Sequence, residues 1–199
     1  MWTAAKATTS SAKSFRLFPN STMKTSSLSL VTVMKEAQRL EICIGAAKGL
    51  HYLHSGLREQ DRVLIHRDVK SANILLDDNM VAKICDFGLS KLGTRNQPDT
   101  QNYTKVAGTQ FYLDPSYLES GILQKESDVY SFGVVLSKIL SGMLVYSERR
   151  IRDDQQPLMN SVRRYRENEP DKVVDPCISD QIKCLSFETF KLTAYELMH

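Results

Sequence analysis

The chain has little that would tie it to a membrane or to an oxidising compartment. Its longest apolar stretch, around Val134 and Leu136, falls far short of the roughly 20 residues that a membrane-spanning helix requires. Direct membrane insertion is therefore not expected. The four cysteines, Cys43, Cys85, Cys177 and Cys184, form no CxxC pair and are too sparse for a disulfide-stapled secreted domain. They read as free thiols in a reducing, cytoplasmic setting, with Cys85 a small buried filler. Acidic residues are missing from positions 1–35, which hold Lys6, Lys13, Arg16, Lys24 and Lys35. The net charge of +3 arises there, since the remaining 164 residues carry 21 basic and 23 acidic side chains and sum to −2. That leaves no basic stripe on the part expected to fold, and nucleic acid is set aside as a partner.

What is present is enough for one globular domain: 42% of the 199 residues are hydrophobic and 25% charged. Residues 1–27, rich in Ser, Thr and Lys, bury too little apolar surface to offset the entropy of ordering and read as a disordered leader. An acid-free leader of this kind resembles a transit peptide, but it has neither the cleavage signal nor the amphipathic pattern, so plastid targeting is not expected. From about Val33 to Ser55, Leu40, Cys43, Ile44, Ala47, Leu50 and Leu53 recur at helical spacing, and Gly56 supplies a stop. Val63–Ile65, Ile74–Leu76 and Val81–Ile84 read as short strands, the last two joined by an Asp77-Asp78-Asn79 turn. Residues 89–124 are polar and show no sustained period, as a functional or mobile loop would. Helix 127–141 carries apolar residues around most of its circumference and should be buried on nearly every side.

Two motifs carry chemistry. His66-Arg67-Asp68-Val69-Lys70-Ser71-Ala72-Asn73 is followed, thirteen residues after Asn73, by Asp86-Phe87-Gly88. An isolated Asp-Phe-Gly is weak, but both motifs in order, on the loops flanking short strands, form a specific signature. The pattern resembles the protein kinase family. The runs RLEICIGAAKGLHYLHSG, AKICDFGLSK, GTQFYLDPSYLESG and KESDVYSFGVVL narrow the resemblance to plant receptor-like kinases, over residues 36–199 approximately.

The resemblance implies a protein serine/threonine kinase that transfers the γ-phosphate of ATP to hydroxyls of protein substrates, with Mg2+ as the metal. Such chemistry is mostly positioning and counter-charge. By resemblance Asp68 accepts and aims the substrate hydroxyl, Lys70 neutralises the transferring phosphate, and Asn73 and Asp86 offer oxygens to magnesium. Lys70 also resembles the serine/threonine-specific branch. His66 and Phe87 look like residues packed behind the loop, and Asp128 like the acid that anchors the loop's backbone. Arg67 resembles the arginine that pairs with a phosphorylated activation loop, with Thr104 the first phosphosite candidate and Thr100 and Tyr103 its rivals.

The implied fold is α+β and mainly α-helical, a kinase C-terminal lobe whose short β-hairpin carries the catalytic and metal-binding loops, over residues 28–199. The chain departs from the family in several places. No Gly-x-Gly-x-x-Gly loop and no lysine-bearing strand precede the motifs, so the N-terminal lobe is expected to be missing from these residues. Phe111-Tyr112 and Pro115-Ser116 stand where relatives have Gly-Tyr and Pro-Glu, which is expected to weaken the anchoring of the activation segment. Ser137-Lys138 stands where relatives often carry an apolar residue and Glu. The alternatives to a working kinase are a catalytically silent binding module and a truncated product with no function of its own. Protein substrates with Ser or Thr are the expected partners, with a receptor complex as a further one, and a full-length relative could be held at the plasma membrane.

Overall fold

A computed structural model describes residues 36–55, 62–94, 102–143, 145, 157–165 and 173–176. The leader 1–27, Thr100, Cys177 and Cys184 lie outside the described residues. The elements run α1 (Glu36–Ser55), β1 (Arg62–Ile65), β2 (Ile74–Leu76), β3 (Ala82–Ile84), β4 (Lys91–Thr94), β5 (Asn102–Tyr103), α2 (Pro115–Ser120), β6 (Ile122–Leu123), α3 (Lys125–Ser141) and α4 (Pro157–Tyr165). Three antiparallel ribbons of two strands each, β1–β4, β2–β3 and β5–β6, lie among the helices.

One core cluster joins α1, α3 and the β2–β3 ribbon. Ile42, Cys43, Ala46, Leu50 and Leu53 of α1 meet Phe132, Val135, Leu136, Ile139 and Leu140 of α3, with Val69, Ile74, Leu76, Ala82 and Ile84 between them. Burial pushes the Cys43 thiol far above its ordinary range against the opposing charge of Arg39, so it packs as an inert apolar group. The inward face of α1 differs from the expected one: Ile44 is 44% exposed, while Ile42 and Ala46 point into the core. The reason is Arg39. It is only 2% exposed, and it donates from Nη2 to Asp175 at 2.9 Å and from Nη1 to the Ile139 carbonyl at 3.1 Å. This pair sets the rotation of the helix and brings Arg39 onto its buried side.

Helix α3 is buried along almost its whole length and ends at Gly142, which adopts φ +63° and returns its N–H to the Lys138 carbonyl. A Cβ at Gly142 would lie 2.9 Å from Asp175 Oδ2, so the cap also leaves room for the ion pair with Arg39.

Residues 89–124, expected to be without regular structure, hold β4, β5, β6, α2 and a 3-10 turn at Gln110–Tyr112. Strands of two to four residues are too short to show a period, and β4 (Lys91-Leu92-Gly93-Thr94) pairs antiparallel with β1. Helix α2 begins at a capping residue, Asp114, which accepts from the Ser116 N–H at 2.9 Å, with Pro115 in the first turn.

Replacing Arg39 with methionine leaves a carboxylate buried without its cation, and the expected loss of stability is about 3 kcal/mol. Urea denaturation of Arg39→Met measures it. The double change Arg39→Met with Asp175→Leu should recover part of the loss, and a single-mutant loss below about 0.5 kcal/mol would remove the pair from any part in fixing α1.

Candidate active site

The site is assembled around Asp128, one of the most deeply buried charges described, at 1% exposure. Its Oδ2 accepts from the His66 N–H at 2.7 Å and from His54 Nε2 at 2.9 Å, and its Oδ1 accepts from the Arg67 N–H at 2.8 Å. One carboxylate thus ties the end of α1 and the start of α3 to the 66–73 loop. The bond to the Arg67 N–H holds that residue at φ +71°, a left-handed conformation that a non-glycine residue adopts only where its surroundings impose it.

His66 is fully buried and its tautomer follows from its partners. Nδ1 accepts from the Asp68 N–H at 3.3 Å, so Nε2 carries the proton it donates to the Cys85 carbonyl at 2.9 Å. The Phe87 ring meets the imidazole edge-on, with centroids 5.0 Å apart. His66 therefore bridges the two motifs.

Asp68 is 8% exposed. Its Oδ2 takes Lys70 Nζ at 2.8 Å and Asn73 Nδ2 at 3.2 Å, and its Oδ1 takes Thr109 Oγ1 at 2.6 Å. Lys70 Nζ also reaches Thr109 Oγ1 at 2.9 Å. Burial alone would raise this carboxyl, but the hydrogen bonds from Lys70, Thr109 and Asn73 together with the charge on Lys70 outweigh it and hold Asp68 below its ordinary value of 3.8. Since each carboxylate oxygen can accept two hydrogen bonds, Oδ2 is filled and Oδ1 keeps one place open beside Thr109.

Asn73 spends its amide nitrogen on Asp68, on the backbone carbonyl at 2.8 Å and on Oδ2, which fixes the orientation of the amide. Its side-chain oxygen has no partner among the described residues. Across the β2–β3 ribbon, the Cys85 N–H donates to the Asn73 carbonyl at 2.9 Å, so Asp86 stands next to Asn73 in space. Asp86 is exposed, adopts φ +63°, and its carboxylate likewise has no partner among the described residues. Two neighbouring oxygen donors, one neutral and one charged, suit a hard cation that takes its other ligands from phosphate and water.

Arg67 gathers the next segment. Its Nη2 donates to Thr104 Oγ1 at 3.2 Å, the Lys105 carbonyl at 2.8 Å and the Tyr117 hydroxyl at 2.8 Å, and its Nη1 donates to the Leu89 carbonyl at 3.2 Å. Arg67 Nε is buried with no partner among the described residues. All four acceptors are neutral. Gly108 passes so close that a Cβ there would lie 2.7 Å from the Arg67 carbonyl, and its φ of +138° also requires glycine.

Four contacts escaped sequence reasoning: Thr109 on Asp68, Tyr117 on Arg67, His54 on Asp128, and Lys138, whose Nζ donates to Ser71 Oγ at 2.7 Å. The segment that lacks the Pro-Glu pair is held by other means: Ser127 Oγ donates to Asp114 at 3.1 Å and Ser131 Oγ to the Tyr112 carbonyl at 2.6 Å. These two bonds tie the segment to α3.

Residues 9–196 match the protein kinase domain family. The chain belongs to the protein kinase family. Members of this family act with ATP and magnesium. A probable receptor-like protein kinase of Arabidopsis thaliana is 46% identical over 79% of this chain and 19% of its own length. Two more from the same plant are the receptor-like protein kinases HERK 1, 44% identical over 78% of this chain and 18% of its own length, and THESEUS 1, 58% identical over 52% and 12%. The chain thus spans less than a fifth of the length of these relatives. Among its described residues no helix is long and apolar enough to cross a membrane.

A carboxyl held low in the folded state adds stability above its unfolded pKa, and that stability is lost as pH falls through the folded value. Thr109→Val removes one of the bonds responsible, so the Asp68 pKa should rise and acid unfolding should begin at higher pH. NMR titration of the Asp68 carboxyl carbon, with the acid-unfolding midpoint alongside, checks both shifts. An unchanged pKa would mean that Lys70 and Asn73 alone hold Asp68 low.

Proposed function

We propose that residues 28–199 are the C-terminal-lobe portion of a protein serine/threonine kinase domain and that residues 1–27 are a leader outside it. The family match begins inside that leader, at residue 9. The observation that carries the reading is the arrangement at Asp68: a carboxylate kept ionised, oriented on one side by Lys70 and Asn73, with one lone-pair direction of Oδ1 open. In that position Asp68 aligns a Ser or Thr hydroxyl and takes its proton as the bond to phosphorus forms. A carboxylate is a weak base at neutral pH, and one held below its ordinary value is weaker still, so its main contribution is orientation. Lys70 lies 2.8 Å from Asp68 and offsets charge on the oxygens of the transferred group.

Magnesium-bound ATP would supply the phosphoryl group and the counter-charge. Asn73 Oδ1 and Asp86 would hold the metal and Lys70 the phosphate. Arg67, with neutral acceptors only, would pair with phosphorylated Thr104, already 3.2 Å from its Nη2. Thr100 and the 72% exposed Tyr103 are lesser candidates. His66, Phe87 and Asp128 keep the loop in place. The partners would be Ser- or Thr-bearing proteins and, as for the receptor-like relatives, a receptor complex. The domain would work on the cytoplasmic side, held at the plasma membrane in a longer form.

One observation favours a second reading, a lobe that binds substrates without turning them over: the 199 residues contain no Gly-x-Gly-x-x-Gly loop to close over a nucleotide. Calorimetric titration of residues 1–199 with Mg-ATP is expected to give a dissociation constant of about 1 mM or weaker. Micromolar binding, lost in Asp86→Asn, would show instead that this lobe holds nucleotide alone.

Fusion behind the glycine-rich and lysine-bearing segment of a receptor-like relative should restore magnesium-dependent transfer to serine or threonine. Asp68→Asn should then cut the rate by about two orders of magnitude or more. Equal phosphate incorporation by that variant would sink the role given to Asp68. Mass spectrometry of the active fusion should find phosphate on Thr104, and its absence there would remove the proposed partner of Arg67.

A further inference from the structure

Lys138 sits in the last turn of α3, half-buried, with its ammonium group directed at the loop that carries Asp68. Its neighbours are hydroxyls. Nζ donates to Ser71 Oγ at 2.7 Å, and Ser71 Oγ lies 3.2 Å from the Tyr112 hydroxyl. No carboxylate lies within salt-bridge distance of it among the described residues. Burial pushes its amine below the ordinary value of 10.5, with no opposing charge to restore it. The other lysine on this loop, Lys70, is paired with Asp68 at 2.8 Å. Of these two lysines, Lys138 is the one with no carboxylate beside it among the described residues.

The distance to the reacting position follows from chain geometry. Ser71 is three residues beyond Asp68, at most about 11 Å of backbone. An extended peptide advances about 3.3 Å per residue, so a side chain reaching Lys138 belongs to a residue within about three positions of the one whose hydroxyl meets Asp68.

We infer that Lys138, with Ser71 and Tyr112 beside it, forms an anion-binding subsite that selects substrate chains carrying an acidic side chain within about three residues of the phosphorylated hydroxyl. A carboxylate there accepts from Nζ and pairs with the half-buried charge, while a basic side chain is repelled. Lys138 is a specificity residue in this assignment and touches neither the reacting oxygen nor the nucleotide. The assignment rests on the kinase reading above.

The test uses serine peptides that differ only by Glu, Gln or Lys at each of the three positions on either side of the acceptor, phosphorylated by the fused enzyme. At one position or more, kcat/KM should favour Glu over Gln by about three- to tenfold. Lys138→Met should bring that ratio close to one, and Lys138→Glu should shift preference to Lys peptides. A wild-type ratio near one at every position overturns the inference. So does a Lys138→Met variant that slows all peptides alike and keeps their ratio, since that is the mark of a prop for Ser71. If the fusion phosphorylates no peptide, the kinase reading fails separately. Fluorescence anisotropy of the labelled peptides with the 199-residue chain then decides: tighter binding of the Glu peptides that is lost in Lys138→Met sustains the subsite, and equal binding ends it.

Discussion

A single buried carboxylate, Asp128, governs the arrangement of everything that could do chemistry in this chain. An ion at 1% exposure has given up nearly all its hydration and is tolerated only because three donors replace the lost water. Two of those donors are consecutive backbone N–H groups, His66 and Arg67, and satisfying both at once sets the path of the loop. The third, His54, sits near the end of α1, so the same oxygen locks the loop to two helices. Once His66 is fixed, its two ring nitrogens fix Asp68 on one side and Cys85 on the other. The β2–β3 ribbon does the rest by setting Asn73 against Cys85 and Asp86.

Much of this was legible in the sequence, and the reason is that the informative residues are neighbours along the chain. Asp68, Lys70 and Asn73 fall within one loop, and Asp86 follows after one short ribbon whose turn is marked by Asp77 and Asn79. Helix α3 was readable because apolar residues surround it. What could not be read were contacts joining distant positions: Thr109 to Asp68 across 41 residues, Tyr117 to Arg67 across 50, Lys138 to Ser71 across 67 and His54 to Asp128 across 74. No local pattern encodes them. The inward face of α1 was misjudged for a related reason, because a buried arginine does not register in a hydrophobic period and Arg39 is buried by Asp175, 136 residues away.

The left-handed residues tell a consistent story. Arg67, Met80 and Asp86 hold positive φ without being glycine, and at Arg67 the backbone N–H is bonded to Asp128. Gly108 meets Arg67 from the opposite side, bringing the 104–112 segment against the Arg67 carbonyl. Hydroxyl groups from the first turns of α3 tie down the 112–114 segment. Ser127 Oγ donates to the Asp114 carboxylate and Ser131 Oγ to the Tyr112 carbonyl.

The tie between Asp128 and the 66–73 loop also has a direction in time. The two ends lie 62 residues apart, and the loop comes first. On a ribosome adding 5–20 residues per second, that separation is about 3–12 s of synthesis. During that interval His66 and Arg67 are already made while the carboxylate that will hold them is not. The newborn chain thus carries its reactive loop unpinned, and the loop takes its final form only when α3 arrives.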